Sequence, residues 1–138
     1  MTRLALLLAL AACAAHPTAW RVELLPGVES EPAGWREVMD AARAESPCSL
    51  RGEWGGTITV HPAPYVDGWG ILVAGNVTGD HAIGAVWTRL ATEGAIPEEA
   101  CHVGLNICSH DYREAPAKAC AERVRNVVGT TYTGASAP

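Results

Sequence analysis

Residues 97–120 read PEEACHVGLNICSHDYREAPAKAC, and the rest of the chain is organised around them. Placed on a helix, Glu98 and His102 stand at i and i+4, one above the other on a single face, with Glu99 beside them. Pro97 suits the first turn, and two glutamates there complement the positive end of the helix dipole. Ser109-His110-Asp111-Tyr112 is a polar break. Beyond it, Arg113–Val128 carries Ala117, Cys120, Ala121, Val124 and Val128 at helical spacing, with Pro116 in the first turn and Gly129 as the stop. The two segments predict an αα hairpin.

Cysteines staple that hairpin. Cys101 and Cys108 are about 10 Å apart along one helix, too far to bridge each other. Each therefore pairs with Cys48 or Cys120. Folding the hairpin about Asp111–Tyr112 brings Cys101 close in level to Cys120, so the preferred pairing is Cys101–Cys120 with Cys48–Cys108. A structural zinc on the same four residues is disfavoured, because no C-x-x-C pair exists.

Upstream of the hairpin the pattern is β. Trp54–His61 alternates through Thr57-Ile58-Thr59-Val60 and ends at Pro62. Ile71-Leu72-Val73 is a short apolar run followed by a Gly75-Asn76 turn or bulge signal, and Ala82–Arg89 places Ile83, Ala85 and Trp87 on one face. Tight turns between these runs predict an antiparallel meander. Before them, Gly34–Glu45 reads as a helix with Trp35, Val38, Met39 and Ala42 inward, and Trp20–Leu25 alternates briefly as an edge strand. The expected fold is α+β: an N-terminal helix, a small three-to-four-stranded, mostly antiparallel sheet, and a disulfide-stapled C-terminal αα hairpin.

The first residues read as an export leader. Arg3 precedes an apolar run from Leu4 to Ala12 that is too short to span a bilayer. Leu10-Ala11-Ala12-Cys13 resembles the bacterial lipobox, which implies cleavage before Cys13 and lipid attachment to it. Cleavage after the A-x-A at Ala12–Ala14 is the alternative and implies a secreted chain. Setting Cys13 aside leaves Cys48, Cys101, Cys108 and Cys120, an even set suited to an oxidising compartment. The expected organisation is a lipoprotein-type signal over 1–12, an anchor and tether over 13–33, a single domain over 34–128, and a disordered tail over 129–138. The location expected is the bacterial cell envelope, on the periplasmic side of the outer membrane.

A formal charge of −5, a pI near 5.4 and one lysine, Lys118, exclude a nucleic-acid surface. Five tryptophans and no phenylalanine predict a small core that relies on indole packing and on the disulfides.

Glu98-Glu99-Ala100-Cys101-His102 is similar to the H-E-x-x-H motif, with glutamate in place of the first histidine. With the order helix, small sheet, motif helix, turn and helix, the chain resembles a minimal zincin metallopeptidase of the gluzincin type. That resemblance implies zinc as cofactor, Glu99 as general base, and Glu98, His102 and Glu114 as ligands. His110 and Asp111 compete with Glu114 for the third place, because the interval from His102 to Glu114 is shorter than in many gluzincins. The longer metzincin pattern is absent. A second carboxylate in the ligand set reduces the effective charge on zinc and weakens its activation of water, so slow hydrolysis or none is expected.

Two functions follow. One is a lipid-anchored zinc metallopeptidase acting on a peptide or protein substrate; the other is a non-catalytic, disulfide-stapled lipoprotein that binds a protein partner in the envelope. Ser109, His110 and Asp111 are sequence neighbours and make no hydrolase triad, whose members converge from separate segments. Tyr112 is either an oxyanion donor across the cleft or a surface tyrosine at the turn.

Overall fold

The alternation through Thr57-Ile58-Thr59-Val60 gives a strand with one covered face. In the computed structural model, which describes residues 16–48 and 53–134, Ile58 and Val60 are fully buried while Thr57 and Thr59 are not. This strand, β2 (Gly56–His61), lies in a four-stranded sheet with β1 (Trp20–Leu24), β6 (Ala82–Val86) and β5 (Gly75–Val77), in the order β1-β2-β6-β5. The other elements are α1 (Trp35–Ala44), a small hairpin of β3 (Tyr65–Val66) and β4 (Leu72–Val73), α2 (Ile96–Ser109) and α3 (Glu114–Gly134).

The α+β class, the N-terminal helix and the stapled C-terminal hairpin stand as expected, but the sense of the strands differs. β1 pairs with β2 in parallel, Trp20 opposite Gly56, and β2 pairs with β6 in parallel, Thr57 opposite Ala82. Only β5–β6 in this sheet, and β3–β4 beside it, are antiparallel. The sheet is therefore mostly parallel and not an antiparallel meander. The reason is connectivity: α1 carries the chain from the end of β1 back to the start of β2, as parallel neighbours require. Between β2 and β6 the chain descends, climbs and descends again through β3, β4 and β5, so β6 also rises beside β2.

The three helices cover one face of the sheet. Val38, Met39 and Ala42 of α1, Val103 of α2 and Val124 of α3 join Ile58, Val60, Ile83 and Ala85 in one apolar core. α2 approaches α1 closely, since a Cβ on Gly104 would stand 2.2 Å from Ser46 Oγ. Trp87, expected on the inner face with Ile83 and Ala85, is 40 % exposed and donates its indole N–H to the Ser30 carbonyl at 3.0 Å.

Both disulfides form with the pairing that helix spacing favoured: Cys101–Cys120 and Cys48–Cys108, with Cα separations of 6.0 and 5.4 Å. The first ties α2 to α3, and the second ties the segment after α1 to the end of α2.

Within Trp20–Leu25, read as an edge strand, Trp20–Leu24 forms β1 at one edge of the sheet. Gly129 does not stop the last helix, which continues to Gly134 through part of the expected tail. A single helical glycine costs only about 1 kcal/mol, which α3 offsets by burying Val124 and Val128. The leader, Cys13 and residues 135–138 lie outside the described residues. Among the described residues no helix is long and apolar enough to cross a membrane.

Candidate metal centre

Pro97 occupies the first turn of α2, and Glu98 and Glu99 follow it there. Four residues on from Glu98 comes His102, whose side chain is 12 % exposed. The chain then leaves α2 through His110, which adopts a left-handed conformation (φ 49°) and donates its N–H to the Asn106 carbonyl. Asp111 receives the N–H of Arg113 at 3.1 Å, and its carboxylate pairs with the Arg113 guanidinium at 2.9 Å. These bonds hold the Asp111 carboxyl down at about 2. They also set the start of α3, whose first residue is Glu114.

The turn delivers Glu114 to His102. Glu114 Oε1 lies 3.6 Å from His102 Nε2, and Glu114 Oε2 lies 3.8 Å from Lys118 Nζ. One ligand atom from each of Glu98, His102 and Glu114 falls within 4.8 Å of the other two. His110 and Asp111, the competing candidates for the third place, are not in this group; Asp111 is engaged with Arg113 instead.

The donor set fits a divalent ion. Zinc accepts imidazole nitrogen and carboxylate oxygen at about 2.0–2.2 Å, so tetrahedral ligands stand about 3.4 Å apart. The His102–Glu114 separation is already near that value, and Glu114, which is exposed, has room to adjust its rotamer.

Glu99 occupies a different environment from Glu98. Burial, and then the neighbouring carboxylates of Glu98 and Glu114, push its carboxyl up to about 7. It packs under β5: a Cβ on Gly75 would meet Ala95 Cβ at 2.4 Å and Glu99 Oε1 at 2.9 Å, so only glycine lets the strand come this close. Glu99, His102 and Glu114 line one cleft of about 600 Å³ with Gly75, Asn76 and Val77 of β5, and with Asp67, Asp80 and Tyr112 at its borders. Among the described residues that line it there is no lysine or arginine, and its carboxylates favour a cation in the cleft.

β5 is the edge of the sheet on the side of this cleft. Val86 N–H donates to Ala74 O, and Thr78 N–H donates to Ala82 O, both at 2.8 Å. The alternation of an antiparallel ladder then turns Ala74, Asn76 and Thr78 toward β6 and leaves the N–H and C=O groups of Gly75 and Val77 on the open edge.

Two supporting residues were not read from the sequence. With its amide NH₂ turned toward them, Asn106 donates to the carbonyls of His102 and Asp111 at 3.1 and 3.0 Å and so fixes the turn beneath the three ligand candidates. The available sign was an asparagine four residues after His102, on the same face of the helix. Tyr65 is the second. It stacks on His61 with ring centroids 3.5 Å apart and donates its hydroxyl to Asn76 Oδ1, which pins the β3–β4 hairpin to β5. Burial, then Glu99 and Asp67, push its phenol up to about 12. His81, in the turn before β6, is half-buried, with Nδ1 2.6 Å from the Gly55 carbonyl.

Compared with protein-family models, with curated proteins and with solved structures, the chain matches none.

Proposed function

We propose that Glu98, His102 and Glu114 hold one divalent ion, zinc in the first instance, and that the domain is an exported, lipid-anchored metal-dependent peptide hydrolase of zincin type. One observation carries this reading: ligand atoms of Glu98, His102 and Glu114, from two helices, lie within 4.8 Å of one another, and His102 and Glu114 line a cleft that also contains Glu99. The ion, when bound, supplies Lewis-acid activation of water and of a substrate carbonyl. Glu99, next to Glu98 in sequence and in the same cleft as His102 and Glu114, is the base that takes the proton from water. The open edge of β5 pairs with an extended peptide through the N–H and C=O groups of Gly75 and Val77 and lays it along the cleft. Tyr112, which lines the cleft, is the donor to the oxyanion in this reading. The two-carboxylate ligand set makes this a slow enzyme at neutral pH.

The test is hydrolysis of a mixed peptide library by the zinc-loaded full chain, by the chelator-treated chain and by Glu99→Gln. Cleavage by the loaded chain alone is expected, with Glu99→Gln retaining zinc. Cleavage that persists after chelation contradicts the reading. Zinc retained without cleavage would favour the non-catalytic envelope lipoprotein.

A further inference from the structure

The β3–β4 hairpin ends in an apolar tip that none of the described residues covers. Trp69 is 90 % exposed, and Val66, Ile71 and Leu72 beside it are each more than half exposed. The tip is held out by its own bonds. Asp67 Oδ1 accepts the N–H groups of Trp69 and Ile71 at 2.9 and 3.0 Å, Asp67 N–H donates to the Ile71 carbonyl, and Gly70 makes the turn at φ 79°. The base of the hairpin is fixed by the Tyr65–Asn76 bond. An ordered hairpin tip thus presents a tryptophan and three aliphatic side chains to solvent.

The direction of the tip shows what it meets. From Tyr65 the hairpin runs down the outer face of the sheet, so that Asp67 and Gly68 border the same hollow as Thr78 and Ala82, at the end of the sheet where β6 begins. The described chain enters at that same end. β1 starts opposite Gly56 at its lower edge, the Gly56 N–H donates to the Ala19 carbonyl, and His16 rests against His81 with ring centroids 5.3 Å apart. Two residues, Ala14 and Ala15, separate His16 from Cys13, and the three Cα steps between them span at most about 11 Å whatever their path. If Cys13 carries the lipid that its lipobox-like context implies, this end of the sheet is held at a bilayer, and the tip points the same way.

We propose that the β3–β4 tip inserts into the interface of a lipid bilayer, with Trp69 at headgroup depth and Ile71 and Leu72 toward the acyl chains. An indole suits that depth because its ring is apolar and its N–H is polar. The surface it fits is a neutral one. The chain carries −5 overall, and Asp67 and Asp80 stand beside the tip, so anionic headgroups oppose docking. The proposal is independent of the metal centre: it requires the tip and the chain entry to share one end of the sheet, and nothing of the cleft.

The experiment uses the full chain reconstituted into phosphatidylcholine vesicles in which part of the lipid is brominated near the top of the acyl chains, a quencher of tryptophan emission at that depth. Residues 1–15 contain no tryptophan, so any quenching comes from the folded part. The wild type should lose a fraction of its emission, Trp87→Phe should lose a similar fraction, and Trp69→Phe should lose none. Replacing half of the phosphatidylcholine by phosphatidylglycerol should reduce the quenched fraction in the wild type. Equal quenching in wild type and Trp69→Phe would overturn the proposal, as would none in the wild type. An unquenched wild type that forms a concentration-dependent dimer, dissolved by Trp69→Asp, would assign the tip to a second copy of the chain and overturn it equally.

Discussion

His102 Nε2 and Glu114 Oε1 lie 3.6 Å apart across two helices that meet at a four-residue turn. Helix–turn–helix geometry alone does not bring them together. The Cys101–Cys120 bridge clamps the helices beside His102, Asn106 holds the turn from beneath, and Asp111 fixes the register of α3 through Arg113. The proximity of two side chains of opposite tendency is therefore built into the hairpin, and Glu98 completes the group from the preceding turn of α2.

Glu98→His restores the histidine that the zincin motif carries at this position. If the remaining donors already surround an ion site, zinc binding tightens by a factor on the order of ten, about 1.4 kcal/mol. Competition with a chromogenic chelator measures this. An affinity unchanged or weakened by the added imidazole would mean that Glu98 does not face the ion.

Metal-free protein should lose stability as pH rises because of Glu99. Its carboxyl titrates near 7 in the folded chain against an ordinary value of 4.5, so the folded state binds the proton more tightly than the unfolded state. The favourable contribution is full below about pH 4.5 and is lost as pH rises through about 7, on the order of 3 kcal/mol in all. Urea unfolding of chelator-treated protein at pH 5 and pH 8 should show this fall, and Glu99→Gln should reduce it. An equal fall in both proteins would place the effect elsewhere.

The two disulfides should separate stability from metal binding. Loop entropy assigns about 3 kcal/mol to the bridge that closes Cys101–Cys120 and about 4 kcal/mol to the longer Cys48–Cys108 loop. Cys48→Ala/Cys108→Ala should thus unfold at lower urea than Cys101→Ala/Cys120→Ala. Zinc retention should show the opposite order, because only the second pair holds α3, and with it Glu114, against α2. The same order in both measurements would deny the bridge its role at the site.

Much of this was legible in the sequence because the relevant signals are local. The inward residues of α1 follow a helical period, and the cysteine pairing follows from rise per residue. The Glu98–His102 juxtaposition is an i, i+4 relation, and Glu114 is reached over one short turn. The strand sense was not legible in the same way. It depends on β3 and β4, two residues each, lying among Pro62, Pro64, Gly68 and Gly70, where no period can register. The strand–helix–strand order of β1, α1 and β2 did carry a parallel signature, but the brief alternation at Trp20–Leu24 reads equally as a tether. Glycine often ends helices, so Gly129 reads as a stop, whereas the packing of Val124 and Val128 outweighs its propensity. Asn106 works through backbone carbonyls that only the folded turn brings within reach.

The most direct test of the account is zinc stoichiometry by elemental analysis on the oxidised full chain, after zinc loading and exhaustive dialysis. The account predicts close to one zinc per chain, lost in His102→Ala and in Glu114→Ala and retained in Glu99→Gln. Absence of retained zinc in the wild type, or retention that survives His102→Ala, would contradict it and leave the group an ion pair between two helices.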